Sequence, residues 1–116
     1  MIKHIPIALA MLAVVGCATD PAPHEQLRLT QQSLDQARAV GASDQVPELQ
    51  LAEHKLAWAM AAMRDENYRA ARLQAEQAEL DARLAEARVL NEKSQLELAE
   101  LNRRIALIRQ ELGEMH

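Results

Sequence analysis

From Tyr68 to Leu112 the chain runs for 45 residues without a glycine or a proline. Alanine, leucine, glutamate, arginine and glutamine dominate this stretch, and all of them are good helix formers. The run therefore predicts one unbroken helix, with Gly113 closing it. At 1.5 Å per residue such a helix is about 65 to 70 Å long. A chain of 116 residues cannot bury a rod of that length on all sides, so the rest of the fold must be arranged along part of it.

Two patterns run along this helix. Ala71, Ala75, Ala78, Ala82, Ala85 and Val89 alternate spacings of four and three, a small-residue seam that lets another helix approach closely. The seam ends near residue 89. A second stripe consists of Leu73, Gln77, Leu80, Leu84, Ala87, Asn91, Ser94, Leu98, Leu101, Ile105, Ile108 and Leu112. It keeps a heptad register throughout. These patterns suggest a division of labour: the first half packs on the remaining helices, and residues 90–112 continue as a coiled-coil rod.

Two shorter helices precede it. The first is expected over Glu25 to Val40, with Leu27, Thr30, Leu34 and Ala37 facing inward and Gly41 just past its end. The second runs from Pro47 to about Arg64, with Ser43 or Asp44 as its cap. Its inner stripe is Leu49, Ala52, Leu56, Ala59 or Met60, and Met63. Asp65-Glu66-Asn67 forms a tight turn into Tyr68. There is no β-rich window, so the fold class is all-α: a helical hairpin with a preceding helix, its last helix of coiled-coil character.

The N-terminus has a different composition. Lys3, with His4, precedes an uncharged, mainly apolar run from Ile5 to Val15. Those eleven residues are too few to cross a hydrocarbon core, which takes about 20, and they fit a signal-peptide core. Val14-Val15-Gly16-Cys17 resembles a bacterial lipobox. That resemblance implies that the Cys17 thiol receives a diacylglycerol and that cleavage precedes it. It implies a membrane partner held through the acylated N-terminus. Ala18 follows the cysteine, where retention at the inner membrane usually goes with Asp. The resemblance therefore points to the periplasmic face of the outer membrane. Two or more acyl chains give stable anchoring, at roughly 0.8 kcal/mol per buried CH2. The alternative is an ordinary secretory signal cut after Ala18, leaving a soluble periplasmic protein. On the lipobox reading, residues 1–16 are the signal, 17–24 a tether containing Pro21 and Pro23, and 25–112 the folded domain.

Leu49 to Leu90 carries a second resemblance. The pattern Leu49-x-x-Ala52-x-x-x-Leu56-x-x-Ala59, then Asn67-Tyr68-x-x-Ala71, then the alanine seam, resembles the domain-of-unknown-function 4398 family of small bacterial envelope proteins. It is also similar to one tetratricopeptide unit, in which an Asp/Asn-Tyr turn joins two helices with alanines at their crossing. No second 34-residue copy is present. The first resemblance implies an α-helical envelope lipoprotein with no known activity. The second implies a hairpin that holds a periplasmic or peptidoglycan-associated partner.

Little in the chain suggests chemistry. His24, His54 and His116 are far apart, and none stands at ligand spacing from Cys17 or another histidine. No nucleophile elbow, phosphate loop or HExxH is present. Charges of both signs are interspersed at a net −4, and Arg103-Arg104 is too small a patch to grip nucleic acid. Neither catalysis nor a metal or other cofactor is expected. The candidate partner-binding residues are Trp58 and Tyr68, the only aromatics, and the distal stripe Leu98, Leu101, Ile105, Ile108 and Leu112. Trp58 and Tyr68 read either as core and turn packing or as an exposed anchor, and Met60 and Met63 as core fillers. The distal stripe lacks an intrachain partner unless the first helix swings round to cover it, and that helix is too short. A copy of the same chain is its default partner, giving a homo-oligomer, and an envelope protein is the other. The whole is read as a structural or adaptor protein of the cell envelope.

Overall fold

Pro21 and Pro23 keep Asp20 and Ala22 out of helix, since proline disfavours helix in the residue before it. A tight turn at Pro23, in which the His24 amide donates to the Ala22 carbonyl at 2.9 Å, leads into the first helix. The computed structural model describes residues 19–115, so Cys17 and the preceding segment lie outside the described residues. Three helices follow: α1 (His24–Ala39), α2 (Pro47–Arg64) and α3 (Tyr68–Glu114). No strand occurs among the described residues. The tether thus ends at Pro23, one residue sooner than expected, because His24 already has helical geometry.

Each connection has a local cause. α1 stops at Val40, and Gly41 takes φ +108. The Gly41 amide donates to the Arg38 carbonyl and the Ala42 amide to the Ala37 carbonyl, both at 2.9 Å. This pair of bonds is a Schellman motif, and it turns the chain back. Ala42 and Ala37 both join the core, as the motif's apolar contact requires. Neither Ser43 nor Asp44 caps α2, contrary to expectation. The cap is Val46 with Pro47 at the first helical position. Pro47 holds Val46 extended at ψ 111, so the helix cannot begin sooner.

The α2–α3 turn repeats the device with a residue less suited to it. Glu66 sits at φ 59, the one non-glycine at positive φ among the described residues. Its amide donates to the Met63 carbonyl, and the Asn67 amide donates to the Ala62 carbonyl at 2.9 Å. Asn67 then caps α3 by accepting from the Ala70 amide at 3.3 Å. At the far end α3 runs through Gly113 to Glu114 rather than closing at Leu112. Gly113 lacks the positive φ of a terminating glycine, and one exposed glycine lowers helix propensity by only about 1 kcal/mol.

The alanine seam is the core. Ala71, Ala75, Ala78, Ala82 and Ala85 are fully buried and Val89 nearly so. α2 meets them with Leu49, Ala52, Leu56 and Ala59, and α1 with Thr30, Ser33, Leu34 and Ala37. Leu27 is only partly buried against this cluster. Thr30 shows how near the backbones come. Its hydroxyl lies 2.9 Å from the Gln26 carbonyl in its own helix and 2.8 Å from the Ala75 carbonyl of α3. A side chain that short reaches a neighbouring helix's backbone only where alanines leave it room.

Polar pairs along the edges fix the helix directions. Lys55 sits 2.7 Å from Asp81, and Arg88 2.7 Å from Glu48, so α2 runs antiparallel to α3. Gln26 donates to Glu79 at 2.6 Å and Gln36 to Glu86 at 2.9 Å, so α1 runs parallel to it. Lys55 meets Asp81 off the hydrogen-bond direction, leaving Oδ2 without a well-aligned donor. It is a charge contact, the least exposed one between α2 and α3. Two methionines depart from expectation. Met60 is exposed and Met63 only half-buried, because alanines fill the close contacts and leave no gap for a long side chain.

Two stability measurements test this description. Ala78→Leu forces three more heavy atoms into the seam and should lower stability by about 1–3 kcal/mol. Leu107→Ala, on an exposed part of α3, should stay within about 0.5 kcal/mol. Glu66→Gly should raise stability by about 0.5–1 kcal/mol by relieving the left-handed backbone, whereas Gly41→Ala should lower it by at least as much. A Cβ on Gly41 would meet the mobile end of Lys93 at 3.3 Å, so backbone strain sets that loss. Thermal and urea unfolding report both pairs.

Candidate interaction surface

The seam that builds the core also determines what α3 leaves uncovered. At 3.6 residues per turn, the heptad stripe starts roughly 160° round the helix from the seam. α1 and α2 occupy the seam side, so the stripe faces outward even beside the bundle. Leu73, Leu80 and Leu84 are exposed, Leu80 by 66%. Apart from half-buried Gln77, the stripe stays open from residue 73 to residue 112.

Beyond the bundle the surroundings thin out. Lys93 reaches the Val40 carbonyl at the end of α1, and Leu96 borders the shallow cleft beneath the α1–α2 loop. The free rod therefore begins near residue 97 rather than 90. Leu98, Leu101, Ile105, Ile108 and Leu112 are all exposed, and α1 does not cover them. The seam's positions continue as Lys93, Leu96, Glu100, Arg103 and Leu107, too polar a mixture to hold another helix.

The other candidate residues separate. Trp58 is 59% exposed on the outer face of α2, one heptad from exposed Leu51. It is therefore not core or turn packing. Its place on α2 is opposite Leu49 and Leu56, and the inward positions beside it are taken by Ala52 and Ala59. Tyr68 is half-buried at the first position of α3. The two aromatics do not form one site. Cys17 lies outside the described residues. Leu73, Leu80 and Leu84 stand outside the candidate partner-binding residues named above, although they are exposed and share the register of Leu98 and Leu101.

The tether has a defined pole. Thr19 and Asp20 border the same depression as Glu66, Asn67, Tyr68 and Arg69, at the α2–α3 turn. The Pro21 carbonyl accepts from Arg72 at 3.4 Å. The chain therefore leaves the bundle beside the start of α3. The far tip of α3 lies about 70 Å away along its axis.

Charge supports the scaffold. Glu48 is held below the usual glutamate range, first by its own backbone amide in the opening turn of α2 and then by the Arg88 guanidinium. Arg88 is raised in turn by Glu48 and Glu92. Glu25 is lowered by its hydrogen bond from Arg28 on the same helix. Among the described residues, no group of three histidine, cysteine or acidic side chains could hold a metal ion, and no helix is long and apolar enough to cross a membrane. The clefts are open to solvent. One lies between Leu29, Gln32, Ser33, Gln36, Arg83 and Glu86.

An all-α chain in which a short helix and a helical hairpin share an alanine seam, with one arm overrunning the bundle, defines the class of protein. The sequence profile of a family described as Domain of unknown function (DUF4398) matches residues 25–101, and the chain belongs to that family. The crystal structure of a DUF4398 family protein from Pseudomonas aeruginosa PAO1 is similar, with a TM-score of 0.80 and 57% sequence identity. The match covers 83% of this chain and 100% of that one. No curated protein matches the chain.

Glu48 gives a pH test. A carboxylate whose folded pKa is depressed stabilises the fold above its unfolded value and ceases to do so as pH falls through its folded value. Glu48→Gln should therefore lower the melting temperature at pH 7. The gap from the wild type should close below the ordinary glutamate value of 4.5. Melting curves across pH 2.5–8 for both proteins give the comparison.

Proposed function

We propose that this protein is an outer-membrane lipoprotein of the bacterial envelope, with a structural or adaptor role and no catalytic one. The observation that carries the reading is the position of the only cysteine. Cys17 closes a lipobox-like tetrapeptide after an apolar run, two residues ahead of Thr19. Thr19 borders the α2–α3 turn, so the described chain begins at the pole opposite the tip of α3. Such a body presents an apolar helix face, on a helix about 70 Å long, to a partner. Large exposed apolar faces mark interaction sites.

A second reading is favoured by Trp58. An exposed tryptophan one heptad from exposed Leu51 on the outer face of α2 is the kind of aromatic anchor on which binding energy concentrates. On that reading the hairpin is a tetratricopeptide-like module for a periplasmic or peptidoglycan-associated partner. Trp58→Ala would then abolish capture of that partner and leave membrane attachment intact.

Fatty-acid labelling with membrane fractionation tests the first reading. Wild type should incorporate label and sediment with outer membranes. Cys17→Ser should lose the label and leave the outer-membrane fraction. An unlabelled, soluble wild type overturns the lipoprotein assignment.

A further inference from the structure

We propose that α3 pairs with α3 of a second copy of this chain, as an antiparallel two-stranded coiled coil along residues 73–112. The proposal names the occupant of the outward stripe. It rests on reading that stripe as a partner surface, but not on the lipid anchor.

The stripe's period selects a helical partner. Its strict 3.5-residue spacing drifts about 20° per heptad around a straight α-helix. Over nearly six heptads it moves more than a quarter turn, so a flat surface could follow only part of it. A helix that supercoils with α3 can follow all of it. The free rod also needs such support. Residues 97–114 are exposed except for half-buried Glu100, and most helical stability in proteins comes from packing an amphipathic face.

The order of residues in the stripe selects a second copy. It is self-complementary about a centre between Asn91 and Ser94. Antiparallel pairing on that centre sets Asn91 against Ser94 of the second copy, where amide and hydroxyl can hydrogen-bond. Next to this layer, Ala87 faces Leu98, small against large. Further out Leu84 faces Leu101 and Leu80 faces Ile105, and the ends close with Leu73 on Leu112. One layer is imperfect, Gln77 against Ile108. Reciprocal contacts of this kind are what a two-fold interface requires.

Parallel pairing in register serves the same residues less well. It stacks Ala87, Asn91 and Ser94 each on itself, leaving three thin layers in succession. It also sets Glu76 beside Asp81 of the other copy, Arg83 beside Arg88, and Arg104 beside Arg109, every pair of like sign. The antiparallel arrangement leaves Arg83 beside Arg104 and Glu76 beside Glu111. That is two like-signed pairs against three, and the intrahelical partners Glu79 and Glu100 soften the arginine contacts in either arrangement. In the antiparallel pair the two tether poles lie at opposite ends, about 70 Å apart.

Disulfide trapping in the full chain with Cys17→Ser tests the arrangement. Chains carrying Ala87→Cys and chains carrying Leu98→Cys should cross-link to each other on mild oxidation when mixed, and neither should cross-link when alone. Both positions are exposed in the single chain, so circular dichroism should show unchanged helix content. In sedimentation equilibrium, Leu80→Glu should weaken dimerisation by about tenfold or more, while Leu107→Glu, exposed but off the stripe, should leave it unchanged. Cross-linking of Leu98→Cys with itself would show a parallel pair and overturn the proposal. So would a wild-type chain that stays monomeric at high concentration, or an equal response to Leu80→Glu and Leu107→Glu.

Discussion

The close approach of helices along the alanine seam of α3 is the contact on which the rest of the structure depends. Five alanines from Ala71 to Ala85 are fully buried, and few large side chains are. The core is therefore held by backbones lying near one another, with Leu34, Leu49 and Leu56 filling the remaining space. Thr30 touches a carbonyl of α3 for the same reason. A core of this kind is thin. It needs tight turns at both ends, which Gly41 and Glu66 supply through the same pair of backbone hydrogen bonds. Edge contacts such as Lys55 with Asp81 and Arg88 with Glu48 fix the alignment more than they add stability.

The same economy explains the apolar outer face. In a bundle packed through leucine, the large residues of α3 would face inward. Here alanine takes the inner positions, so the leucines of the heptad stripe remain outside along the whole helix. α3 thus serves as one wall of a bundle on one side and as an open apolar surface on the other. The tether leaves beside the α2–α3 turn, so that surface extends away from the attachment end. The family and the similar crystal structure establish the architecture. The envelope role and the pairing of α3 rest on the residues themselves.

Much of the fold was legible in the sequence because it is periodic. The seam from Ala71 to Val89, the inner stripe of α2 from Leu49 to Ala59, and Gly41 as the terminator of α1 each have one physical reading. Other features were hidden for identifiable reasons. Glu66 carries no mark of a left-handed residue, since glycine or asparagine usually occupies that place. Ser43 and Asp44 are good caps by type, but Pro47 restricts Val46 and so decides where α2 begins. Trp58 and Met60 belong to residue types that usually pack inside, yet alanines had already taken the inner positions. The surface was half legible. The stripe's register was plain, but its exposure beside the bundle followed only from seeing which side α1 and α2 occupy.

The central claim is that the outward face of α3 is covered by another helix in the associated protein. Amide hydrogen exchange, followed peptide by peptide over a range of protein concentrations, measures this most directly. Residues 71–89 should show protection that is largely independent of concentration, because the bundle is intrachain. Residues 98–112 should exchange quickly when dilute and become protected as concentration rises. Rapid exchange across 98–112 at every concentration would contradict the account.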